Sequence, residues 1–239
     1  MTDNKKRAVA EDRTDGSRAP RPKDAATLIL YRQGGNKTEI LMGERSGRHS
    51  FMPNTYVFPG GRVDAADSRV LAAKDLREDV LTRLCRGGCS PARARALAIA
   101  AIRETFEETG LRIAAQHPSP KKSRLQVWND FGTALDGPDL SKLDYIARAV
   151  TPPARKKRFN TRFFVADADH LEGEIKGSGE LLDLKWVTID EALELNIPKI
   201  TEMVLGHAGN FLKSRPGADA SRPVPMFQMR YGKRIFAEE

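Results

Sequence analysis

Glu104, Glu107 and Glu108 stand close together in the stretch Ala98-Ile99-Ala100-Ala101-Ile102-Arg103-Glu104-Thr105-Phe106-Glu107-Glu108-Thr109-Gly110-Leu111. In a helix, side chains four apart stack on one face. Glu104 and Glu108 would then lie one above the other, with Glu107 beside them. Like charges so placed repel one another and weaken an isolated helix. A divalent cation removes the conflict, because hard cations such as magnesium choose carboxylate oxygens. Taken alone, a Glu-x-x-Glu-Glu run reads as a solvated acidic face, as most charge runs do. Its neighbours point to a metal cluster.

The element that must position these carboxylates is well punctuated. Ala98, Ile99, Ile102 and Phe106 form an apolar stripe opposite the acids. Ser90 suits the N-cap, Pro91 the first helical position, and Gly110 the left-handed residue that ends a helix. The spacing predicts one helix over 91–109, about 28 Å long at 1.5 Å per residue.

Two stretches together carry a family resemblance. Arg103-Glu104-x-x-Glu107-Glu108-x-Gly110-Leu111 resembles the second half of the Nudix box, G-x5-E-x7-R-E-U-x-E-E-x-G-U with U aliphatic. Val57-Phe58-Pro59-Gly60-Gly61-Arg62-Val63-Asp64 resembles its strand-and-glycine opening. About thirty extra residues separate the halves, and counting back from Arg103 puts the family's first Glu on Arg95. An interrupted box, with Phe51-Met52-Pro53 ahead of it and Asp64-Ala65-Ala66-Asp67 behind the glycines, is similar to the coenzyme A diphosphatase branch of the family. So is the later run Arg158-Phe159-Asn160-Thr161-Arg162-Phe163-Phe164, where Asn160 stands in place of the usual Asp.

The resemblance implies a Nudix α/β/α sandwich with a mixed sheet and a helical insertion inside the box. It also implies a site. Glu104, Glu107, Glu108 and the Gly61 carbonyl would bind Mg2+ or Mn2+, and Arg103 would hold the carboxylates by ion pairing. Glu104 or Glu180 would act as base, the choice between them open, with Glu174 as a further loop acid. Arg45, Arg158, Arg162 and Phe58 are the candidates for substrate contact. For Arg45 a solvated strand end is an equal alternative. Arg158, Asn160 and Arg162 alternate onto one strand face, where guanidinium groups can fork onto phosphate.

Composition sets the bounds. The chain has 239 residues, 40% hydrophobic and 30% charged, as in globular proteins. No apolar run reaches the length of a membrane span, and no apolar h-region follows the basic N-terminus; a cytoplasmic protein is the expectation. Cys85 and Cys89 lack the partners of a zinc site and read as a reduced pair. The net charge of +8 suits an anionic substrate or nucleic acid. Few aromatics, 7% of residues, are present to stack on bases, so nucleic acid is disfavoured.

In chain order, residues 1–24 read as a disordered tail and 25–239 as the folded domain, with the insertion over about 65–89. A hairpin is expected at 25–31 and 38–44, turning at Gly34-Gly35-Asn36, and a short strand at 55–58. Arg48 and His49 lie in the next loop, and the histidines form no cluster. Leu71, Leu76, Val80, Leu81 and Leu84 give the insertion a partial helical stripe, either as a packing appendage or along the edge of the site. A short helix is expected at 140–148 and a strand at 158–166. Another strand is expected at 179–187, where Leu182, Leu184 and Trp186 alternate. Helices follow at 190–195, capped by Thr188, and at 200–212. A terminal strand pair turns at Tyr231-Gly232-Lys233.

The expected activity is metal-dependent hydrolysis of a nucleoside diphosphate linked to another moiety, with coenzyme A or acyl-coenzyme A as the substrate the branch suggests. ADP-ribose, NADH or capped RNA remain alternative substrates. A Nudix-fold module that senses a nucleotide without cleaving it is the competing class. A small nucleotide-type partner is expected, and oligomerisation is left open.

Overall fold

In the computed structural model, residues 12, 18–35, 37–47, 52–117, 126–132, 135–230 and 233–239 are described. Most of the expected tail, Asn36 of the first turn, Arg48, His49, Phe51 and the Tyr231-Gly232 turn lie outside them.

The hairpin forms as β1 (Lys23–Gly34) and β2 (Lys37–Arg45), followed by β3 (Tyr56–Val57) and β4 (Gly60–Arg62). The insertion contributes a 3-10 turn at Asp67–Arg69 and α1 (Glu78–Arg86). The acidic helix is α2 (Pro91–Thr109). Then come β5 (Ala114–Gln116), α3 (Gln126–Asp130), β6 (Asp136–Pro138), β7 (Asp144–Val150), β8 (Phe159–Asp167) and β9 (Leu181–Thr188). The chain continues through α4 (Ile189–Glu194), α5 (Lys199–Ser214), β10 (Pro225–Arg230) and β11 (Lys233–Glu238).

A nine-stranded mixed sheet runs β11-β10-β7-β8-β1-β2-β3, with β4 added to β1 and β9 to β2. β1 pairs in parallel with β8, and β10 with β7. Two apolar layers sandwich it. Ala26, Leu28 and Leu30 of β1 pack with Leu97, Ala98, Ala101 and Ile102 of α2 on one face. Ile29, Met42, Val165 and Val187 pack with Val204, Leu205 and Ala208 of α5 on the other. The alanines at 94, 96, 98, 100 and 101 are buried and let α2 lie close on the sheet. This is the expected α+β sandwich. No helix among the described residues is long and apolar enough to cross a membrane.

The α2 caps are as expected: Ser90 Oγ accepts from Arg93 N, and Gly110 has φ 75°. Thr188 and Glu191 form a reciprocal capping box on α4. Cys85 and Cys89 are free thiols.

Two expectations are corrected. Residues 140–148 are not a helix. Asp139 caps a 3-10 turn at Leu140–Lys142, and β7 follows. β7 has a layer on each face, Tyr145 entering one and Ile146 the other, so its apolar run lacks simple alternation. In β9, Leu182 is 46% exposed and Leu181 is buried. Asp183 at φ 45° and a register shift opposite Met42 and Glu44 displace the alternation by one residue.

Candidate active site

The last two turns of α2 carry the acids beneath the β4 strand. Arg103, buried beside Glu104, is the hub. Its Nε and Nη2 donate to the two carboxylate oxygens of Asp67 at 2.8 and 3.0 Å. Nη1 donates to Glu104 Oε1 at 2.9 Å and to Glu107 Oε2 at 2.8 Å, and Nη2 also reaches the Arg62 carbonyl at 2.8 Å. Burial alone would lower the Arg103 pKa. Asp67, Glu104 and Glu107 outweigh it and hold the guanidinium above its ordinary value.

Glu108 is 6% exposed, and its Oε2 accepts from the Gly60 N–H at 2.8 Å. Burial pushes its pKa up to about 8. Glu104 and Glu180 add to the rise, against the Gly60 bond and the Arg45 charge. Burial likewise pushes Glu104 up to about 7, aided by Glu107 and Asp67 and opposed by Arg103. Glu107 is also raised, by burial first. Four acids, Asp67, Glu104, Glu107 and Glu108, thus share two arginines, Arg103 and Arg45, in these contacts.

The glycines at 60 and 61 permit this approach. A Cβ on Gly61 would collide with the Glu104 carboxylate, and one on Gly60 would come within 2.6 Å of the Ala26 carbonyl and Thr27 Cα. Gly60 admits no side chain without moving backbone, and a side chain at Gly61 would displace the Glu104 carboxylate.

Arg45 closes the far side. It ends β2, and burial lowers its pKa against the opposing charges of Glu108 and Glu180. Glu180, exposed at the start of β9, is tied to Arg45's neighbour through the Ser46 N–H, which donates to the Glu180 carbonyl at 3.1 Å. The fold therefore brings together Arg45, Gly61, Arg103, Glu104, Glu107, Glu108 and Glu180. Glu174 is exposed, and its carbonyl packs on Gly110 at the end of α2.

The other expected contacts lie elsewhere. Phe58 is 3% exposed and belongs to the apolar layer on the α5 face, so it is a core residue. Arg158 donates to the carbonyls of Thr151 and Pro20 at 3.0 and 2.8 Å. Arg162 is 1% exposed. It donates to Cys89 Sγ at 3.3 Å and stands 3.7 Å from Asp24, which Arg93 grips at the first turn of α2. That is the opposite end of α2 from the acids, roughly 16 Å along the helix.

Asp67 is the residue the backward count missed. It is fully buried and holds Arg103 by both oxygens. Counted forward from Gly61, it occupies the box's first acidic position, at the start of the insertion. Arg95, the backward-counted position, is an exposed residue paired with Asp75 at 2.7 Å.

Among the described residues, no three His, Cys, Asp or Glu side chains stand grouped so as to hold a metal ion. The donor chemistry nonetheless suits a hard cation: acceptor-only carboxylates, disfavoured as anions by burial and by one another, beside a backbone that bears no side chain. In this arrangement Arg103 neutralises Glu104 and Glu107 in part.

An α/β/α sandwich with its acids gathered at one helix end is the class these features define. The NUDIX domain profile matches residues 21–205, and the chain belongs to that family. It is similar to acyl-coenzyme A diphosphatase NUDT19 of Xenopus laevis, 25% identical over 65% of this chain and 54% of that protein. The protein of the same name from Gallus gallus is 35% identical over 35% of this chain and 28% of its own length. The chain thus spans about half or less of these relatives. A NUDIX hydrolase from Alicyclobacillus acidocaldarius superposes with a TM-score of 0.61 at 25% identity, covering 84% of this chain and 99% of that one. The coenzyme A diphosphatase-like branch read from the interrupted box agrees with these relatives. Hydrolases of this family generally use divalent metal ions.

Proposed function

We propose that this chain hydrolyses the pyrophosphate of a nucleoside diphosphate linked to another moiety, with coenzyme A or an acyl derivative as substrate. The carrying observation is the under-compensated carboxylate cluster of Glu104, Glu107 and Glu108, set by Arg103 and Asp67 against a side-chain-free Gly60-Gly61 backbone. The relatives' names supply the substrate class.

Glu104, Glu107, Glu108 and the Gly61 carbonyl would hold Mg2+ or Mn2+. When bound, the ion supplies polarisation of phosphate oxygens and a more acidic water. Arg103 positions Glu104 and Glu107 through its own clamp on Asp67. Arg45, facing the acids at the edge of the site, takes a substrate phosphate oxygen. The water oxygen attacks one phosphorus, its proton passes to a carboxylate, and the bridging P–O bond breaks. Glu104 or the exposed Glu180 would take that proton, whichever carboxylate the ion leaves free. From coenzyme A the products are a phosphopantetheine and 3',5'-ADP.

The test is a panel of coenzyme A, acyl-coenzyme A, ADP-ribose, NADH, dinucleoside polyphosphates and capped RNA, each with magnesium or manganese. Metal-dependent cleavage of coenzyme A or its acyl form is expected. A tenfold preference in kcat/KM for ADP-ribose or NADH would overturn the substrate and leave the chemistry standing. The competing reading is a module of the same fold that senses a nucleotide without cleaving it. Saturable nucleotide binding without cleavage of any panel member would decide for it.

A further inference from the structure

On the α5 side of the sheet lies a cavity of about 330 Å3, lined by Ile146, His207, Phe211, Ser214, Arg222 and Pro223 among others. Its size falls at the lower end of the range of small-molecule sites, about 300–1,000 Å3. The glutamates lie against the other face of the sheet, under α2.

Arg222 gives this cavity its chemistry. Its Nη2 donates to Asp144 Oδ1 at 2.5 Å and to the Tyr145 carbonyl at 3.3 Å. The guanidinium lies 4.7 Å over the Phe211 ring. Its Nη1 is buried and has no hydrogen-bond partner among the described residues. A buried cationic N–H without an acceptor is costly, so a guanidinium fixed on two sides and open on a third is prepared for one more oxygen.

The charges around Arg222 specify that oxygen. Asp144 accepts from Arg77, Arg83 and Arg222, and Asp79 accepts from Arg77 and Arg83. The arginines exceed the aspartates in this half-buried network by one positive charge. Asp219 also faces Arg222, but it is exposed and bonded to Ser221, so its charge is screened by solvent. A single negative charge completes the balance. A phosphate dianion would overshoot it, against walls made largely of carbon and with Asp144 on the same guanidinium. Ile146, Phe211, Pro216 and Pro223 offer surface for an apolar body. His207, bonded to the Ile146 backbone, is kept neutral by burial and by Arg222, so it adds no second cation.

We propose that this cavity binds a small organic monocarboxylate with an apolar body, its carboxylate on Arg222 Nη1 and its body against Phe211 and the two prolines. Benzoate is the probe, and benzyl alcohol is its uncharged counterpart. In a nitrogen–proton NMR titration of the full chain, benzoate should shift the Asn210, Phe211 and Ser214 amides saturably. Benzyl alcohol should bind at least tenfold more weakly. Arg222→Gln should weaken benzoate at least tenfold, and Ser214→Phe, which fills the cavity without touching the ion network, should abolish the shifts. Glu108→Gln should leave them unchanged. If Arg222→Gln fails to fold, the two probes on the native chain and on Ser214→Phe decide. No saturable shift, equal binding of benzyl alcohol, retention by Ser214→Phe, or tighter binding of inorganic phosphate at the same amides would each overturn the proposal.

Discussion

The two ends of α2 both gather buried charge, and they do opposite things with it. At the N-terminal end, Asp24 pairs with Arg93 and stands near Arg162. Beyond it, Arg148 reaches Glu239 and the Gly87 carbonyl. Each charge there meets an opposite one, and the network ties α2 to the end of the insertion and the last strand. At the C-terminal end, Glu104, Glu107 and Glu108 outnumber the cations available, and burial raises all three pKa values. Matched buried charge holds elements together. Surplus charge of one sign, set close against the Gly60-Gly61 backbone, marks a place prepared for a counter-ion.

The largest effect that separates the two ends is on turnover. Glu107→Gln or Glu108→Gln should cut kcat by about 10²- to 10⁴-fold, while the metal-free protein unfolds at an unchanged or higher denaturant concentration. Losing one like charge from the surplus relieves repulsion. Wild-type turnover in the Glu108 variant, measured with magnesium, would remove the distinction between the ends.

Charges held in direct pairs should answer in stability instead. Arg83 is fully buried and bonded to Asp79, Asp144 and the Tyr145 carbonyl. Arg83→Met should cost about 3–5 kcal/mol, the usual result of stranding a buried partner, with kcat per folded molecule unchanged. Asp67→Asn sits where the two behaviours meet. It should lower stability by a similar amount and also reduce kcat, because Arg103 loses the clamp that aims it. Urea midpoints and turnover measured on the same samples separate these outcomes.

Much of this contrast was legible in the sequence. The caps and stripe of α2, the hairpin, and the spacing of Arg103, Glu104, Glu107 and Glu108 all follow from local periodicity. Asp67 was missed because the insertion breaks the count: distance from Arg103 carries no information across an inserted segment, whereas distance from Gly61 does. Arg162 alternates correctly onto the α2 face, but alternation says which face a residue takes and not how deep the layer above it is. Phe58 shares that limit: it sits beside the Gly60-Gly61 turn in sequence and in the apolar layer on the other side of the sheet in space. The β9 register escaped because a single left-handed residue, Asp183, resets the alternation.

The surplus should also show as a pH dependence of the metal-free chain. In the folded state Glu104 and Glu108 titrate near 7 and 8, above the unfolded value of about 4.3. Between those limits the folded state binds more protons than the unfolded one, so stability falls as pH rises. It should be highest below about pH 4.5 as far as these groups decide, and their contribution should be lost by about pH 8. Glu108→Gln should flatten the upper part of the curve, and magnesium should restore stability at pH 8. Denaturant midpoints in chelator that stay level from pH 5 to 8 would mean the acids are better compensated than their surroundings indicate.

The smallest effect tests the count itself. If the backward count were right, Arg95 would occupy an essential acidic position, and Arg95→Glu would repair it. If the forward count is right, Asp67 already fills that place. Arg95 then only pairs on the surface with Asp75, where both side chains are substantially exposed. Such a pair contributes about 0.2–1 kcal/mol. Reversing the charge sets a second carboxylate against Asp75 and adds some repulsion across solvent, so a loss of about 1 kcal/mol is the expected ceiling. Turnover should stay within twofold of wild type, because Arg95 lies more than two helical turns from Glu104 and touches none of the acids. A gain in kcat or in metal affinity on Arg95→Glu would show that the helix lacked an acid there, and would detach Asp67 from the role its clamp on Arg103 gives it.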